Sequence, residues 1–338
     1  MSSPAPRRRA PAWQLLLGVA ISAVFLYFSL RGLQFAEVLQ HIRSARPGPI
    51  VLGVILATLP FVLRIFRWQL LLHGDDGRQL GAAPLWHAIA MGFMANNVLP
   101  MRIGEVVRTL AAARLTQTRF SAVLASIAVE RLFDAITVVA LLAVGLFTAT
   151  LPASPLAAKV GHIVTYGGLA ALFGLVLATL VVSFPLAAEQ VVRRLVPSPR
   201  LAERLVAIIE GVRQGLSVLG SPSRVVGAVF WSVAVWGVSA LAFFVMFRAF
   251  GITVDFSGAL LMQGLIMFGI ALPSTPGYVG VFEYPIINVL ALYGIDPNVA
   301  AAYALTFHVT TFIPITLLGA WSIVRTNLGF ANLRQGAG

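Results

Sequence analysis

Residues 96–108 have the sequence Asn-Asn-Val-Leu-Pro-Met-Arg-Ile-Gly-Glu-Val-Val-Arg and interrupt an otherwise apolar run that extends from 84 to 110. A charged side chain at the centre of a membrane helix costs about 2.5–3.5 kcal/mol on insertion scales, so three of them argue against one continuous lipid-facing helix. Non-helical backbone at membrane depth persists only where protein or a water-filled cavity surrounds it. We therefore predict a re-entrant hairpin that bends at Pro100.

A second apolar run, 257–292, is interrupted in the same way. Its centre, residues 272–283, has the sequence Leu-Pro-Ser-Thr-Pro-Gly-Tyr-Val-Gly-Val-Phe-Glu. Prolines and glycines at this density are poor helix formers. We predict a second re-entrant hairpin, which bends at Pro273.

The composition of the chain indicates that it lies in a lipid bilayer. Of the 338 residues, 59% are hydrophobic and 11% are charged, whereas soluble domains carry about a quarter charged residues. We predict an all-α polytopic membrane protein that forms a single integral membrane domain over 1–338. Besides the two hairpins it has about six segments long enough to span the hydrocarbon core: Trp13–Leu30, Pro49–Leu72, Ser121–Thr148, Gly161–Pro185, Arg224–Phe250 and Asn298–Val324.

The basic residues orient these segments. The net charge is +12, and the arginines lie at the ends of apolar segments, which indicates membrane orientation rather than nucleic-acid binding. With both termini cytoplasmic and both interrupted runs as hairpins, 18 basic residues lie on the cytoplasmic side and 5 outside. We expect a bacterial inner (plasma) membrane protein. Residues 187–220 predict an amphipathic cytoplasmic linker, with a solvated linker helix as the alternative.

The two halves of the chain resemble each other. Residues 49–148 comprise a span, a hairpin and a span, and so do residues 224–324, with an offset of 173 between Pro100 and Pro273. The first set begins outside and the second inside, so we predict an inverted repeat, which transporters use to build a binding site near the midplane. Coincidence is the alternative, because any two membrane hairpins need Gly and Pro.

Polar residues of the first hairpin predict an anion site. Arg102, Glu105 and Arg108 are three apart and share one face of the returning half-helix. Because Glu105 cannot neutralise both arginines, one positive charge remains, and the helix N-terminus adds a partial positive charge. With Asn96 and Asn97 at the bend, the pattern favours a phosphate receptor. An ion-paired structural kink is the alternative.

A second group of charges lies in the span that follows this hairpin. Glu130 and Asp134 are four apart and share a face, and Arg131 lies beside them. The expected partners are Arg102 and Arg108. The group is either architectural or a network that rearranges when a headgroup phosphate competes for the arginines.

A third group lies at the second bend and on the last span. Ser274 and Thr275 are expected to ligate a polar headgroup. We expect Glu283 to accept a hydrogen bond from His308 or from a cationic headgroup. A tight turn with a satisfied glutamate is the alternative.

Two further arginines, Arg64 and Arg67, lie near the predicted cytoplasmic end of the second span. Arginines in such places more often snorkel to the interface than bind ligand, and these two are candidates for phosphate recruitment. Trp68, the next residue, is predicted to be an interface anchor.

Other chemistries find no support in the sequence. The chain has no cysteine, and its five histidines are scattered, which argues against disulfides and metal centres. P-loop, His-Glu-x-x-His and Gly-x-Ser-x-Gly patterns are absent. We expect no catalytic residue, no metal and no cofactor.

Three ordered motifs, in residues 96–108, 130–134 and 272–283, resemble those of the flippase-like transmembrane family. This family is named for the membrane domain of lysylphosphatidylglycerol synthase, the multiple peptide resistance factor, and the resemblance covers about residues 10–325. It implies a membrane domain that moves lipids with modified headgroups between leaflets. The resemblance also implies a central cavity that includes Arg102, Glu105, Arg108, Glu130, Arg131, Asp134 and Glu283.

The leading hypothesis is therefore a lipid translocator whose partners are membrane lipids with an anionic or modified headgroup. The full-length synthases carry a soluble aminoacyl-transfer domain, and we expect none here because the chain ends at Gly338. One alternative is an accessory membrane subunit that positions a lipid-synthesis enzyme or glycosyltransferase through residues 187–220. A weaker one is an intramembrane enzyme that uses Glu130 and Asp134 as acid and base. A homo-oligomer is compatible with each, and nucleic acid is not expected as a partner.

Overall fold

The computed structural model describes residues 12–99, 103–150, 166, 185–199, 201–203, 206, 222–271 and 274–328. Regular structure in these residues is helical apart from one isolated antiparallel bridge between His73 and Gln79, so the predicted all-α class is confirmed. The helices are α1 (Ala12–Leu30), α2 (Phe35–Ser44), α3 (Pro47–Leu71), α4 (Ala82–Val98), α5 (Gly104–Thr116), α6 (Phe120–Thr148), α7 (Pro185–Leu195), α8 (Pro222–Phe247), α9 (Phe256–Ala271), α10 (Glu283–Leu292) and α11 (Pro297–Thr326). Short 3-10 turns follow α8 at Arg248–Phe250 and precede α10 at Pro276–Tyr278.

Three of the described helices are long and apolar enough to cross a membrane. They are α3, α8 with its 3-10 extension, and α11. A fourth span results if α1 and α2, which are bent by 81° at the break between them, count as one. The predicted span 161–185 lies almost wholly outside the described residues, and the number of six spans stays a prediction.

Helix α2 lies outside every span that the sequence predicts. It is fastened to the start of α11, because the Asn298 side chain donates to the Glu37 carboxylate at 2.6 Å and accepts from the backbone N–H of Gln34 at 2.9 Å. Asp296 caps α11 by accepting from the backbone N–H of Asn298 at 2.8 Å. These contacts hold the N-terminal segment on the second half of the chain.

Both predicted bends fall between two helices that contact each other. The arms α4 and α5 of the first hairpin pack on each other, as do the arms α9 and α10 of the second. Arms α4 and α9 have 17 and 16 residues, fewer than the roughly 20 needed to span a bilayer. Pro100, Arg102 and Pro273 lie outside the described residues. Entry of the hairpins from opposite leaflets stays a prediction.

The helices of the two predicted sets make matching contacts. The four helices α3, α4, α5 and α6 of the first set correspond in order to α8, α9, α10 and α11 of the second. Each helix–helix contact among these eight has a counterpart between the corresponding helices. The most extensive contact joins α3 to α8, the first helices of the two sets. Each hairpin also leans on the last helix of the other half, α4 on α11 and α9 on α6. This reciprocity supports a repeat, and the inversion of its halves stays a prediction.

The end of α4 approaches the 3-10 turn before α10. Helix α4 contacts the 3-10 turn of the second bend, and a Cβ built on Gly277 would lie 3.7 Å from the carbonyl oxygen of Asn97. Helix α1 covers the other side of the second bend. There the Ser22 hydroxyl accepts from the backbone N–H of Thr275 at 2.9 Å and shares a hydrogen bond with its hydroxyl at 3.0 Å.

The predicted amphipathic linker is described in part. Helix α7 is amphipathic, with exposed Arg193 and Arg194 in its last turn. It ends at Leu195, before Pro197 and Pro199, which cannot donate a backbone hydrogen bond to continue it. Most of the linker beyond Glu203 lies outside the described residues.

Candidate functional site

Two helix faces in the first half bring four charged side chains together. Arg64 and Arg67 are three apart on α3, and Glu130 and Asp134 are four apart on α6, so each pair shares a face. Arg67 donates to Asp134 with 2.6 Å between Nη1 and Oδ1, and its Nη2 lies 3.2 Å from Glu130 Oε1. Arg64 lies further from both carboxylates, with Nη1 at 3.3 Å from Asp134 and 3.4 Å from Glu130.

Arg108 of α5 completes the inner part of this group. It binds Glu130 in a bidentate manner, with both Nη–Oε distances at 2.8 Å, a geometry that suits the planar guanidinium. The Cζ atom of the same guanidinium lies 3.8 Å from the ring centroid of Trp68. The predicted pairing of Arg108 with α6 is confirmed for Glu130, and the predicted pairing of Arg102 lies outside the described residues.

Three predictions for the end of α3 are wrong. Arg64 and Arg67 do not snorkel, because they are 5% and 0% exposed. Trp68 is not an interface anchor, because it is fully buried and donates its indole N–H to the Ser126 hydroxyl at 2.9 Å. Buried carboxylates on α6 hold the two arginines inside. The sequence of α3 does not indicate that its partners are Glu130 and Asp134 of α6.

Two residues of α8 belong to the same group and were missed. The indole N–H of Trp236 donates to Asp134 Oδ1 at 2.8 Å, and the Ser232 hydroxyl accepts from Arg67 Nη1 at 2.9 Å. Both lie in the middle of an apolar span, one helical turn apart. Polar groups in the middle of an apolar span need hydrogen-bond partners, so these two residues could have indicated from the sequence that α8 contacts a polar group.

We call this group the charge cluster, and it holds more positive than negative side chains. Its ionisable members among the described residues are Arg64, Arg67, Glu105, Arg108, Glu130, Arg131 and Asp134. Four guanidiniums and three carboxylates leave a charge of +1 when all are ionised. The outer edge is formed by Arg131 and Glu105, whose closest polar atoms are 3.7 Å apart and whose side chains are 42% and 38% exposed.

A cavity of about 230 Å³ borders the charge cluster and lies between the two halves. Its walls come from α3, α4, α8, α9, the second bend and α11. The rings that line it are those of Phe61, Phe93, Trp236, Phe243, Tyr278, Phe282, Phe307, His308 and Phe312.

Arg64 is the member of the charge cluster with a guanidinium on the cavity wall. That guanidinium lies 5.4 Å from the ring centroids of both Phe93 and Trp236. Such cation–π contacts stabilise a positive charge in apolar surroundings. In the described part of the chain, the cavity is therefore lined by aromatic rings with Arg64 as its cationic group.

The two amides of the first bend have separate places. Asn96 accepts from the backbone N–H of Gly104 at 2.8 Å and so fixes the start of α5. Asn97 lines the cavity and donates to the Thr316 hydroxyl of α11 at 2.8 Å. The structure thus brings Asn97, but not Asn96, to the cavity.

At the second bend the structure pairs Glu283 with His308. Glu283 Oε1 lies 2.5 Å from Nδ1 of His308, and Oε2 accepts from the backbone N–H of Gly280 at 2.7 Å. His308 lines the cavity, so the predicted contact between these two residues is confirmed. The backbone of Ser274 and the hydroxyl of Thr275 contact α1, and neither residue lines the cavity; their headgroup role stays a prediction.

Comparison with known proteins gives a family and three relatives. A family model described as Lysylphosphatidylglycerol synthase TM region matches residues 15–319. The chain is 24% identical over 347 residues to a protein of Haloferax volcanii named glycosyltransferase AglD, covering 93% of this chain and 54% of that protein. The chain therefore spans about half the length of this relative.

Two further relatives are covered over a larger share of their own length. A UPF0104 membrane protein of Methanocaldococcus jannaschii is 23% identical and covers 69% of this chain and 95% of its own length. A UPF0104 membrane protein of Methanothermobacter thermautotrophicus is 26% identical, over 68% of this chain and 70% of its own. Because the family model covers most of the sequence, the chain belongs to the Lysylphosphatidylglycerol synthase TM region family.

Proposed function

We propose that this protein moves lipids with an anionic headgroup between the two leaflets of a membrane, through the cavity between its halves. The observation that carries the proposal is the position of Arg64. It lies on the cavity wall and belongs to a cluster with one surplus positive charge. A fixed positive charge in a low-dielectric site attracts an anion much more strongly than it would in water.

The contacts of Arg64 make it the arginine that a headgroup can recruit. Its distances to the two carboxylates are 3.3 and 3.4 Å, whereas Arg67 and Arg108 have contacts of 2.6 and 2.8 Å. A phosphate oxygen would therefore replace weak contacts at Arg64 and leave the pairing of Arg108 with Glu130 intact. Guanidinium groups bind phosphate well because their donors match two oxygens at once.

The size and lining of the cavity favour a lipid over a free anion. At about 230 Å³ it is smaller than the roughly 300–1,000 Å³ of pockets that enclose whole ligands. It suits a headgroup whose chains remain in the bilayer. The aromatic rings around Arg64 offer apolar surface to the first carbons of those chains. The excess of basic residues on one side of the predicted spans supports a plasma-membrane protein with cytoplasmic termini.

The test is the transfer of fluorescent phosphatidylglycerol across proteoliposomes that contain the Arg64→Gln variant. We expect transfer to be about 10- to 100-fold slower than in the wild type, because a charge-assisted hydrogen bond contributes about 1.5–3 kcal/mol. Arg64→Lys keeps the charge and is expected to retain part of the rate. Phosphatidylcholine transfer reports whether the effect depends on headgroup charge.

The matched control is Arg78→Gln. Arg78 is an exposed arginine of the loop before α4 that contacts Asp76 at 3.4 Å, and its replacement is expected to leave transfer unchanged. Wild-type protein that moves no labelled lipid would refute the proposal. So would a folded Arg64→Gln protein that moves phosphatidylglycerol at the wild-type rate.

A second candidate function is favoured by the Haloferax relative. That protein is named a glycosyltransferase, and this chain corresponds to about half of it. In this alternative the chain is a membrane subunit that holds a lipid-linked substrate for a glycosyltransferase, with α7 as the docking helix. Co-purification of such an enzyme, lost when exposed Arg193 and Arg194 are replaced by glutamine, would favour it.

A further inference from the structure

We propose that Glu283 and His308 form a proton-binding site that couples lipid movement to protons, so that each anionic lipid crosses together with one proton. The inference rests on the proposed function and deepens it, because it supplies the ion that drives transport. It begins from the position of the pair. His308 lies on the wall of the same cavity as Arg64, and Glu283 lies directly behind it.

The pair is built to exchange a proton in a confined site. Glu283 is buried, and its two oxygens are occupied by His308 Nδ1 at 2.5 Å and the Gly280 N–H at 2.7 Å. The imidazole packs against the rings of Phe282 and Phe312, with centroid distances of 4.5 and 5.8 Å. Ionisable residues at membrane depth are costly and typically form ion or proton paths.

The polar groups that face His308 from the surrounding elements do not exchange protons readily. The pair of Glu283 and His308 is therefore the candidate proton carrier. From α3 it faces Arg64, which stays protonated at any physiological pH. The described cavity walls of α4, α8 and α9 contribute Asn97, Ser239, Trp236 and Gln263, which do not titrate. The second bend contributes Tyr278, a phenol that ionises near pH 10 when unperturbed.

Groups elsewhere on the packed helices are engaged in other contacts. On α10 the ring of Tyr284 packs against Phe25 of α1. On α4, His87 bonds to Ser322 far along α11, and on α2, Glu37 binds Asn298 at the start of α11. Among the described residues that line the cavity, His308 supplies the one imidazole, and imidazole is a side chain that commonly serves as a proton shuttle.

The proton balance of the pair follows from its geometry. With Glu283 ionised and His308 neutral, Nδ1–H donates to the carboxylate and the pair carries one negative charge. A proton that adds to Nε2 gives an imidazolium–carboxylate pair with no net charge. No bond other than N–H forms, and release reverses the step on the opposite side of the membrane.

Electrostatic linkage ties this proton to the lipid. An anionic headgroup at Arg64 shares a low-dielectric cavity with the pair, so a bound headgroup disfavours the negative form and promotes proton uptake. By reciprocity, the protonated pair binds the headgroup more tightly. Headgroup and proton together add no net charge to the protein, and the loaded cavity reorients without moving charge across the membrane.

The experiment measures the distribution of fluorescent phosphatidylglycerol in proteoliposomes with an imposed pH gradient. One proton per lipid predicts that the steady-state ratio of label between leaflets shifts by about tenfold for each pH unit, since each pH unit is a tenfold ratio of protons. Because the transfer is electroneutral, a potassium diffusion potential set with valinomycin should not change the ratio. A trapped pH dye should report proton entry when phosphatidylglycerol is present and not with phosphatidylcholine alone.

The variant His308→Gln removes the group that takes up the proton, and Glu283→Gln removes the carboxylate that stabilises the imidazolium. Both keep the size of the side chain approximately. Both are expected to let the label equilibrate without following the gradient, whereas Glu283→Asp keeps a carboxylate and should follow it. The matched control is His87→Gln, because His87 also uses Nδ1 to bond a neighbouring helix at 3.0 Å but does not line the cavity.

The outcomes separate this inference from the function on which it rests. If wild-type protein equilibrates phosphatidylglycerol and ignores the gradient, coupling is refuted and transport stands. If it moves no lipid, both are refuted. Gradient-following by a folded Glu283→Gln or His308→Gln protein also overturns the inference. If neither variant folds, absence of lipid-dependent proton entry in the wild type refutes it.

Discussion

The replacement of Glu130 by glutamine is expected to lower the free energy of unfolding by about 3–5 kcal/mol, the typical cost when one partner of a buried ion pair is removed. Glu130 is completely buried and lies within 3.4 Å of Arg64, Arg67, Arg108 and Arg131. Without its charge, the +1 of the cluster becomes +2 in a medium that screens poorly. Glutamine keeps the shape of the side chain, so the effect isolates charge.

The measurement is unfolding of purified protein in mixed micelles, followed by tryptophan fluorescence. Trp68 and Trp236 touch the charge cluster and should report its loss directly. Glu203→Gln serves as the control, because Glu203 is exposed and its replacement should change the free energy by less than about 0.5 kcal/mol. A Glu130→Gln protein as stable as the wild type would show that the cluster does not depend on its carboxylate.

The second large effect is expected for Gly104→Ala, which should lower the free energy of unfolding by about 3 kcal/mol, the upper end of the usual cost of overpacking. Helices α4 and α5 approach so closely that a Cβ on Gly104 would overlap the carbonyl oxygen of Gly92 and the side chain of Asn96. The carbonyl is backbone and cannot rotate away. The hydrogen bond from Gly104 N to Asn96 would be strained as well.

The control for this substitution is Gly48→Ala. Gly48 lies in the first turn of α3, and a Cβ there would meet nothing within 4 Å. This replacement should leave stability unchanged or raise it slightly, because alanine loses less backbone entropy on folding than glycine. Equal stabilities of the Gly104→Ala protein and the wild type would mean that the two arms of the first hairpin are further apart than described.

The sequence predicted the helical pairs well where the signal was local. The polar stretch near Pro100 separates α4 from α5, and the Gly/Pro stretch near Pro273 separates α9 from α10. The pairing of Glu283 with His308 was also predicted, because both are rare inside apolar segments and each needs a partner. An ionisable residue inside the membrane needs a polar partner, and an apolar chain offers few, so the contact can be proposed from the sequence alone.

The cavity and the full charge cluster could not be predicted in the same way. Phe93 and Phe307 line the cavity, but a phenylalanine in an apolar helix gives the same sequence pattern whether it faces lipid, core or cavity. Arg64 lies near the end of an apolar segment, where snorkelling is the usual outcome. Its burial depends on carboxylates 66 and 70 residues away, a distance that periodicity within one helix does not reach.

The order of the charge cluster along the chain has a consequence for biogenesis. As the chain leaves the ribosome, α3 emerges with Arg64 and Arg67 long before Glu130 and Asp134 exist to neutralise them. Trp236, which donates to Asp134, follows 102 residues after it. The nascent α3 is therefore expected to wait at the edge of the translocon until α6 and α8 arrive. Synthesis that stops before α8 should leave a fragment for membrane quality control to degrade.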